Sequence, residues 1–173
     1  MQVISGKYKR KKLDGFKLNN TRPTMSRVKQ SMFAMIQNNI KGRVLDLFAG
    51  SGALGIEALS MGADSCYFVD NDKNAIKVIN KNLENIEEET KVLNLDYLTA
   101  LNKFKNNIKF DLILLDPPYN KFDLYDIIKK IDEYNILNDN GLIVVESSND
   151  IKDYYECIKI KKMSDKIIKV YKK

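Results

Sequence analysis

Arg43-Val44-Leu45-Asp46-Leu47-Phe48-Ala49-Gly50-Ser51-Gly52-Ala53-Leu54-Gly55 is the stretch on which the fold turns. Its first half is an apolar run suited to a buried strand. Its second half spells G-x-G-x-x-G and leads into a helical pattern over 53–61. Glycines in that arrangement permit a tight strand-to-helix turn and let a ligand approach the backbone closely. Working toward the C-terminus, apolar runs at 65–69, 91–95, 110–115 and 142–146 alternate with amphipathic segments at 73–86, 97–104 and 124–133. Strand following helix following strand implies parallel strands joined by right-handed crossovers. Two last runs, 155–163 and 166–171, flank Ser164-Asp165 and read as an antiparallel hairpin on one sheet edge. The predicted fold is therefore α/β, a doubly wound, seven-stranded, Rossmann-like sheet, mostly parallel.

Working toward the N-terminus, Val28, Met32, Met35, Ile36 and Ile40 recur at helical spacing. Pro23 favours an extended approach to that helix, and Thr24 or Ser26 can cap it. Ahead of it, residues 1–23 read as a short basic β-hairpin or arm, with Asp14-Gly15 as its turn. The predicted organisation is this arm and a single domain over 24–173. In the segment 73–86, Ile76, Ile79, Leu83 and Ile86 share one face, Asp72 is placed to cap, and Gly62 sits where the preceding helix should end.

The 173 residues are enough to bury a core without staples. No apolar run is long enough to cross a bilayer, and the opening MQVISGKYKRKK lacks a secretory pattern, so a cytoplasmic, monomeric protein is expected. The absence of histidine excludes Ser-His-Asp and Cys-His catalysis and imidazole ligation, and no metal is expected. Cys66 and Cys157 are too few and too far apart for a zinc knuckle. Residues 1–30 hold nine cations against the single anion Asp14, a balance of +8 on a chain whose total is +6. A basic segment on a near-neutral body suits nucleic-acid phosphates, with Lys7, Lys9, Arg10, Lys11, Lys12 and Arg27 as candidate contacts.

Four features, the glycine loop and three acids, fall at the ends of successive strands, the rim where such sheets bind ligands. Asp70 lies 20 residues beyond Gly50, where a carboxylate accepts from both hydroxyls of a ribose. That pair alone fits NAD, FAD and S-adenosylmethionine equally. Asp46, just before the glycines, tips the balance, because a carboxylate there suits a ligand with an ammonium group and would repel a pyrophosphate. Asp96 can accept from an adenine amine. The expected cofactor is S-adenosyl-L-methionine. Phe48, Ala49, Gly50, Ser51 and Gly52 should line its site with Asp46, and Asn71 and Tyr97 should join Asp70 and Asp96.

Asp116-Pro117-Pro118-Tyr119 follows the fourth strand and selects the chemistry. Two prolines remove two amide donors, leaving the Asp116 carboxylate and nearby carbonyls as acceptors. The exocyclic amine of a base is a poor nucleophile because its lone pair is delocalised into the ring. Accepting both amine hydrogens favours a pyramidal nitrogen whose lone pair can meet a sulfonium methyl in line. Tyr119 can stack on a base drawn out of its helix or loop. Cys66 lies mid-strand, which argues against methylation at a pyrimidine carbon, a reaction needing a thiol beside the base. Asp111 reads as the start of a strand, and Glu146 as the end of the fifth strand, with the option of facing the same cleft.

The sequence resembles the RsmD-type methyltransferases, which modify guanine N2 in bacterial small-subunit (16S) ribosomal RNA. The resemblance spans essentially the whole chain. It rests on Ile4-Ser5-Gly6-Lys7-Tyr8-Lys9-Arg10-Lys11-Lys12-Leu13, Thr21-Arg22-Pro23-Thr24-Met25-Ser26-Arg27-Val28-Lys29, the run from Asp46 to Ser60, Asp116-Pro117-Pro118-Tyr119 and Val145-Glu146-Ser147. The glycine and proline loops are shared with many amino-methyltransferases; the basic opening and Arg-Pro-Thr segment narrow the match. The resemblance implies a class I methyltransferase domain, ribosomal RNA within an assembling small subunit as partner, and Arg22 and Thr24 near the cofactor and target base. Asp70 stands where this family often has glutamate, a shorter but chemically equivalent carboxylate.

Three other readings remain. A DNA amino-methyltransferase acting on adenine or cytosine uses the same kind of loop, but usually adds a large target-recognition region for which this chain has no insertion. An NAD-dependent oxidoreductase leaves the Pro-Pro loop without purpose. A non-enzymatic RNA-binding module would have no need of the acids and the loop together.

Overall fold

The computed structural model describes residues 1–15, 23–118 and 121–173, and for 23–25 the backbone alone. After α1 (Pro23–Ile36), strands and helices alternate: β1 (Arg43–Asp46), α2 (Ala53–Ser60), β2 (Ser65–Asp70), α3 (Lys73–Asn82), β3 (Glu89–Asn94), α4 (Tyr97–Phe104), β4 (Phe110–Leu115), α5 (Leu124–Glu133) and β5 (Leu137–Ser147). The chain closes with β6 (Glu156–Lys162) and β7 (Ile167–Lys172). The seven strands form one sheet in the order β3-β2-β1-β4-β5-β7-β6. The first five are parallel, and β7 inserts antiparallel between β5 and β6.

Helices cover both faces, as buried parallel strands require. Val28, Met32, Phe33 and Ile36 of α1, Ile56 and Leu59 of α2, and Ile79 of α3 pack on Val44, Leu112, Leu114, Leu142, Val144, Ile168 and Val170. On the opposite face, Leu101 and Phe104 of α4 and Ile127, Ile128 and Ile131 of α5 pack on Leu45, Ile113, Leu115, Ile143 and Val145. Side chains alternate faces along a strand. Continuing that alternation to the carboxyl ends places Asp46, two past Val44, Asp116, two past Leu114, and Glu146, two past Val144, all on the α1–α2 face.

The predicted elements are present, with four shifts. The helix at 73–86 stops at Asn82, whose side-chain amide donates to the Asp14 and Ser51 carbonyls at 3.0 and 2.9 Å. Strand β5 begins at Leu137, ahead of the apolar run, through an irregular pairing with β4. Pro23 is the first helical residue of α1, where its missing N–H costs nothing, so Thr24 and Ser26 lie in the first turn rather than at a cap. Within residues 1–15 the chain already turns between Gly6 and Arg10, ahead of Asp14-Gly15, and the far side of the turn expected there lies outside the described residues. Val3 N–H donates to the Lys11 carbonyl and Arg10 N–H to that of Val3, with Gln2 and Lys12 paired antiparallel. Gly6 and Arg10 both have positive φ, which lets so short a turn close.

This hairpin is docked on the domain. Glu57 of α2, 1% exposed, accepts from the backbone N–H groups of Ile4 and Ser5 and pairs with Lys29 of α1 at 2.7 Å. Lys29 Nζ also donates to the Gln2 carbonyl. Ser60 accepts from Tyr8 N–H and donates to the Ser5 carbonyl, and a Cβ on Gly6 would collide with the Ser60 backbone at 1.8 Å.

Candidate active site at the carboxyl ends of the strands

The glycine loop turns between β1 and α2 with Gly50 and Gly52 at positive φ. Its three glycines have different work. A Cβ at Gly55 would meet Phe68 at 2.3 Å and Cys66 at 2.8 Å, so the third glycine lets α2 lie close on β2. A Cβ at Gly50 would meet nothing within 4 Å, which leaves open space beside the backbone where a ligand can approach. Asp70 braces the loop, its carboxylate accepting from Gly50 N–H at 2.8 Å and Asp72 N–H at 2.9 Å. A carboxylate has about four lone-pair directions, so these two bonds orient Asp70 and leave capacity for a hydroxyl.

Asp46 is the strained member of the set. It is 1% exposed; Oδ2 accepts from Gly55 N–H at 2.9 Å, while Oδ1 has no hydrogen-bond partner among the described residues. Burial pushes its carboxyl up to about 7, the Gly55 bond opposes the rise, and the charge on Asp70 adds to it. A buried carboxylate oxygen without a donor fits a cationic or N–H-bearing ligand group. Beneath it, Cys66 is fully buried, and burial, reinforced by Asp46, pushes the thiol well up. That thiol is not a nucleophile.

Asp96 is the second of the two residues that join β3 to α4, not the last of the strand. It caps α4, accepting from Thr99 N–H at 3.0 Å and from the Thr99 hydroxyl at 2.6 Å, bonds that lower its pKa. Phe48, which follows β1, and Tyr97, at the start of α4, meet at 5.8 Å between ring centroids, and Phe122 contacts both at 5.2 Å. Ala49 and Ser51 are buried in the loop, and Asn71 is exposed beside Asp70.

Asp116, Pro117 and Pro118 leave β4 at the same rim. Pro117 is buried and Pro118 exposed, and both line a cleft of about 530 Å³ with Phe122, Leu124, Glu146, Ser147 and Ile151. Asp116 keeps part of its surface in the open, yet desolvation is the largest influence on its carboxyl and raises it. The Lys166 ammonium opposes that rise and Asp46 adds to it. Leu115 pairs with Val145, so Asp116 and Glu146 extend from adjacent parallel strands in step. Glu146 is 7% exposed and its carboxylate lies 2.6 Å from Lys166 Nζ. Burial and the Asp116 charge push Glu146 up too, so the two acids titrate as a pair.

Lys166 and Phe122 were not legible as site residues. Lys166 precedes β7 by one position, and only the reversal of β7 carries it to the rim where the parallel strands end. Phe122 follows the Pro-Pro turn in a polar stretch whose path depends on where α5 docks. Asp111, by contrast, belongs to the opposite rim, where it accepts from Arg43 N–H and the Asn138 side chain.

Of the expected nucleic-acid contacts, Lys9, Arg10, Lys12 and Arg27 are exposed. Lys7 bonds Glu87 and Glu88 at 2.8 and 3.0 Å, and Lys11 donates to the Glu84 carbonyl. Arg22 and Tyr119, and the Thr24 side chain, lie outside the described residues.

Sheet order, glycine loop and rim acids together define the class I methyltransferase fold. The structure of a candidate methyltransferase from Escherichia coli superposes with a TM-score of 0.86, at 27% identity over 99% of this chain and 97% of that one. A candidate methylase from Haemophilus influenzae gives 0.79, at 31% identity over 99% and 97%. Residues 1–172 match the family described as Conserved hypothetical protein 95. A Bacillus subtilis protein provisionally named as an rRNA methyltransferase, YlbH, is 43% identical over 88% of this chain and 85% of its own. The ribosomal RNA small subunit methyltransferase D of H. influenzae is 36% identical over 87% and 80%. The chain belongs to this family, that of the RsmD-type methyltransferases.

Proposed function

We propose that this protein transfers a methyl group from S-adenosylmethionine to the exocyclic N2 amine of one guanine in small-subunit ribosomal RNA. The observation that carries the reading is the buried Asp46 carboxylate, with one oxygen lacking a partner among the described residues, on the same sheet face as Asp116 at the next strand tip. Support for the RNA substrate comes from the names of relatives spanning most of the chain, several of them ribosomal RNA small subunit methyltransferases.

S-Adenosylmethionine, when bound, supplies an electrophilic methyl group. Asp46 would hold its ammonium, the open backbone at Gly50 would admit its sugar edge, and Asp70 would accept from the ribose hydroxyls. Phe48 and Tyr97 offer aromatic surface on the adenine side. The Asp116 carboxylate and the carbonyls of the Pro-Pro turn would accept the amine hydrogens, orient the nitrogen lone pair and, with a raised carboxyl pKa, take the proton shed after transfer. Tyr119 would stack on the base. Arg22, Thr24, Arg27 and the exposed hairpin cations would hold the RNA, whose natural form is an assembling small subunit in the cytoplasm.

Labelled methyl transfer to small subunits from cells lacking the protein, followed by mass-spectrometric mapping, tests the reading. The expected label is on one guanine. Asp116→Ala should lower transfer by about 10²-fold or more while S-adenosylhomocysteine affinity stays within a few-fold. Label on duplex DNA with none on ribosomal RNA would overturn the substrate, and a collapse of cofactor affinity in Asp116→Ala would overturn the role of the loop.

A further inference from the structure

We infer that Glu146 is a specificity-determining residue that accepts a hydrogen bond from the ring N1–H of the target guanine, beside the amine held at Asp116. The inference rests on the guanine-N2 reading and deepens it.

Three features place Glu146 beside Asp116 at the rim. Strand register sets it in step with Asp116 on the neighbouring strand, on the same face of the sheet. It lines the cleft that Pro117 and Pro118 also line. Lys166, itself largely buried, grips one carboxylate oxygen at 2.6 Å, which fixes the carboxylate's direction. Two acids beside one another are costly in a desolvated place, and the raised pKa of both reports the cost. Glu146 supplies the counter-charge for Lys166 and lines the cleft as well.

The chemistry of the bases says what a second acceptor discriminates. In guanine, the ring nitrogen next to the amine carries a hydrogen. In adenine and cytosine the nitrogen next to the amine carries a lone pair. A buried carboxylate opposite N1–H gains a charge-assisted hydrogen bond; opposite a lone pair it is repelled and left unpaired. Asp116 alone therefore suits any conjugated amine, and Asp116 with Glu146 suits the adjacent donors of guanine. Lys166 acts as a positioning residue for Glu146.

2-Aminopurine separates the two contacts, because it keeps the amine of guanine and replaces N1–H with a lone pair. Small-subunit particles would be reconstituted with guanine or 2-aminopurine at the nucleotide found by mapping, and kcat/KM measured for each. Wild-type protein should prefer guanine by about 10²-fold or more. Glu146→Gln, whose amide can donate to the lone pair, should shrink that preference at least about tenfold, and Glu146→Asp should keep it. S-Adenosylhomocysteine binding by each variant confirms that the fold survives. Equal use of the two bases by wild-type protein overturns the inference, as does an unchanged preference in Glu146→Gln. If Glu146→Gln is inactive on both bases, the wild-type ratio decides. Label on adenine, cytosine or DNA in the mapping step is a different failure, that of the guanine reading, and takes the inference with it.

Discussion

Asp46 faces two opposed demands. In the free protein its carboxylate is desolvated, with one oxygen unmatched among the described residues. With a cofactor ammonium beside it, the same carboxylate would be matched. Its folded pKa of about 7 lies above the ordinary carboxylate value, so the folded protein holds a proton that the unfolded chain has released. The free protein therefore has the full contribution of this group only below the ordinary carboxylate value of 3.8 and loses it progressively as pH rises from there through about 7. Cofactor binding has the opposite slope, because the ammonium needs the ionised form. S-Adenosylhomocysteine should bind more weakly at pH 6 than at pH 8, with proton release visible by calorimetry in buffers of different ionisation enthalpy. Asp46→Asn, which keeps an acceptor for Gly55, should raise the Tm of the free protein at pH 8 by a few degrees and weaken S-adenosylhomocysteine about tenfold or more. Equal affinity at the two pH values would remove Asp46 from the ammonium site.

At the scale of elements, two contacts decide what the strands and helices of the domain present at the rim. The most buried anchor of the N-terminal hairpin is the carboxylate of Glu57, which satisfies two backbone donors of the hairpin and the ammonium of Lys29 from α1. Glu57→Ala leaves both backbone donors without this acceptor and Lys29 without its counter-charge, with only the Gln2 carbonyl remaining to it. It should destabilise the protein by about 3–5 kcal/mol, read by urea denaturation, and open residues 1–15 to protease before the rest of the chain. Uniform protease resistance would mean that apolar packing of Val3 and Leu13 holds the hairpin without it. The second contact is the insertion of β7 between β5 and β6. A fifth crossover helix would have put a parallel strand there and sent Lys166 to the far rim; the antiparallel return delivers it to Glu146.

For the whole molecule, charge placement matters more than charge total. The segment 1–30 is strongly basic, but Lys29 is buried, Lys7 is paired with acids and Lys11 with a carbonyl. Lys9, Arg10 and Lys12 remain exposed on the hairpin. Changing these three to Gln should weaken RNA binding and reduce the slope of log affinity against log salt by about 2–3. Lys7→Gln should leave the slope unchanged. A slope unmoved by the triple change would show that this face does not meet phosphates.

The sequence alone determined the alternation of strands and helices, the glycine loop, the rim acids and the proline loop, because each is written in local periodicity or in residues needed at one chain position. Gly55 and Asp72 are legible in that sense, the one by motif spacing and the other by its place before an apolar helix. Asp96 shows the limit of the same local logic, since a carboxylate after a strand and one capping the next helix look alike until Thr99 is seen to donate to it. Only the tertiary structure decided what depends on register and strand direction. It placed Asp46, Asp116 and Glu146 on one face, brought Lys166 back beside Glu146, and consumed several of the basic residues internally. Those outcomes join residues 20 to 100 positions apart, and long-range pairing leaves no local pattern to read.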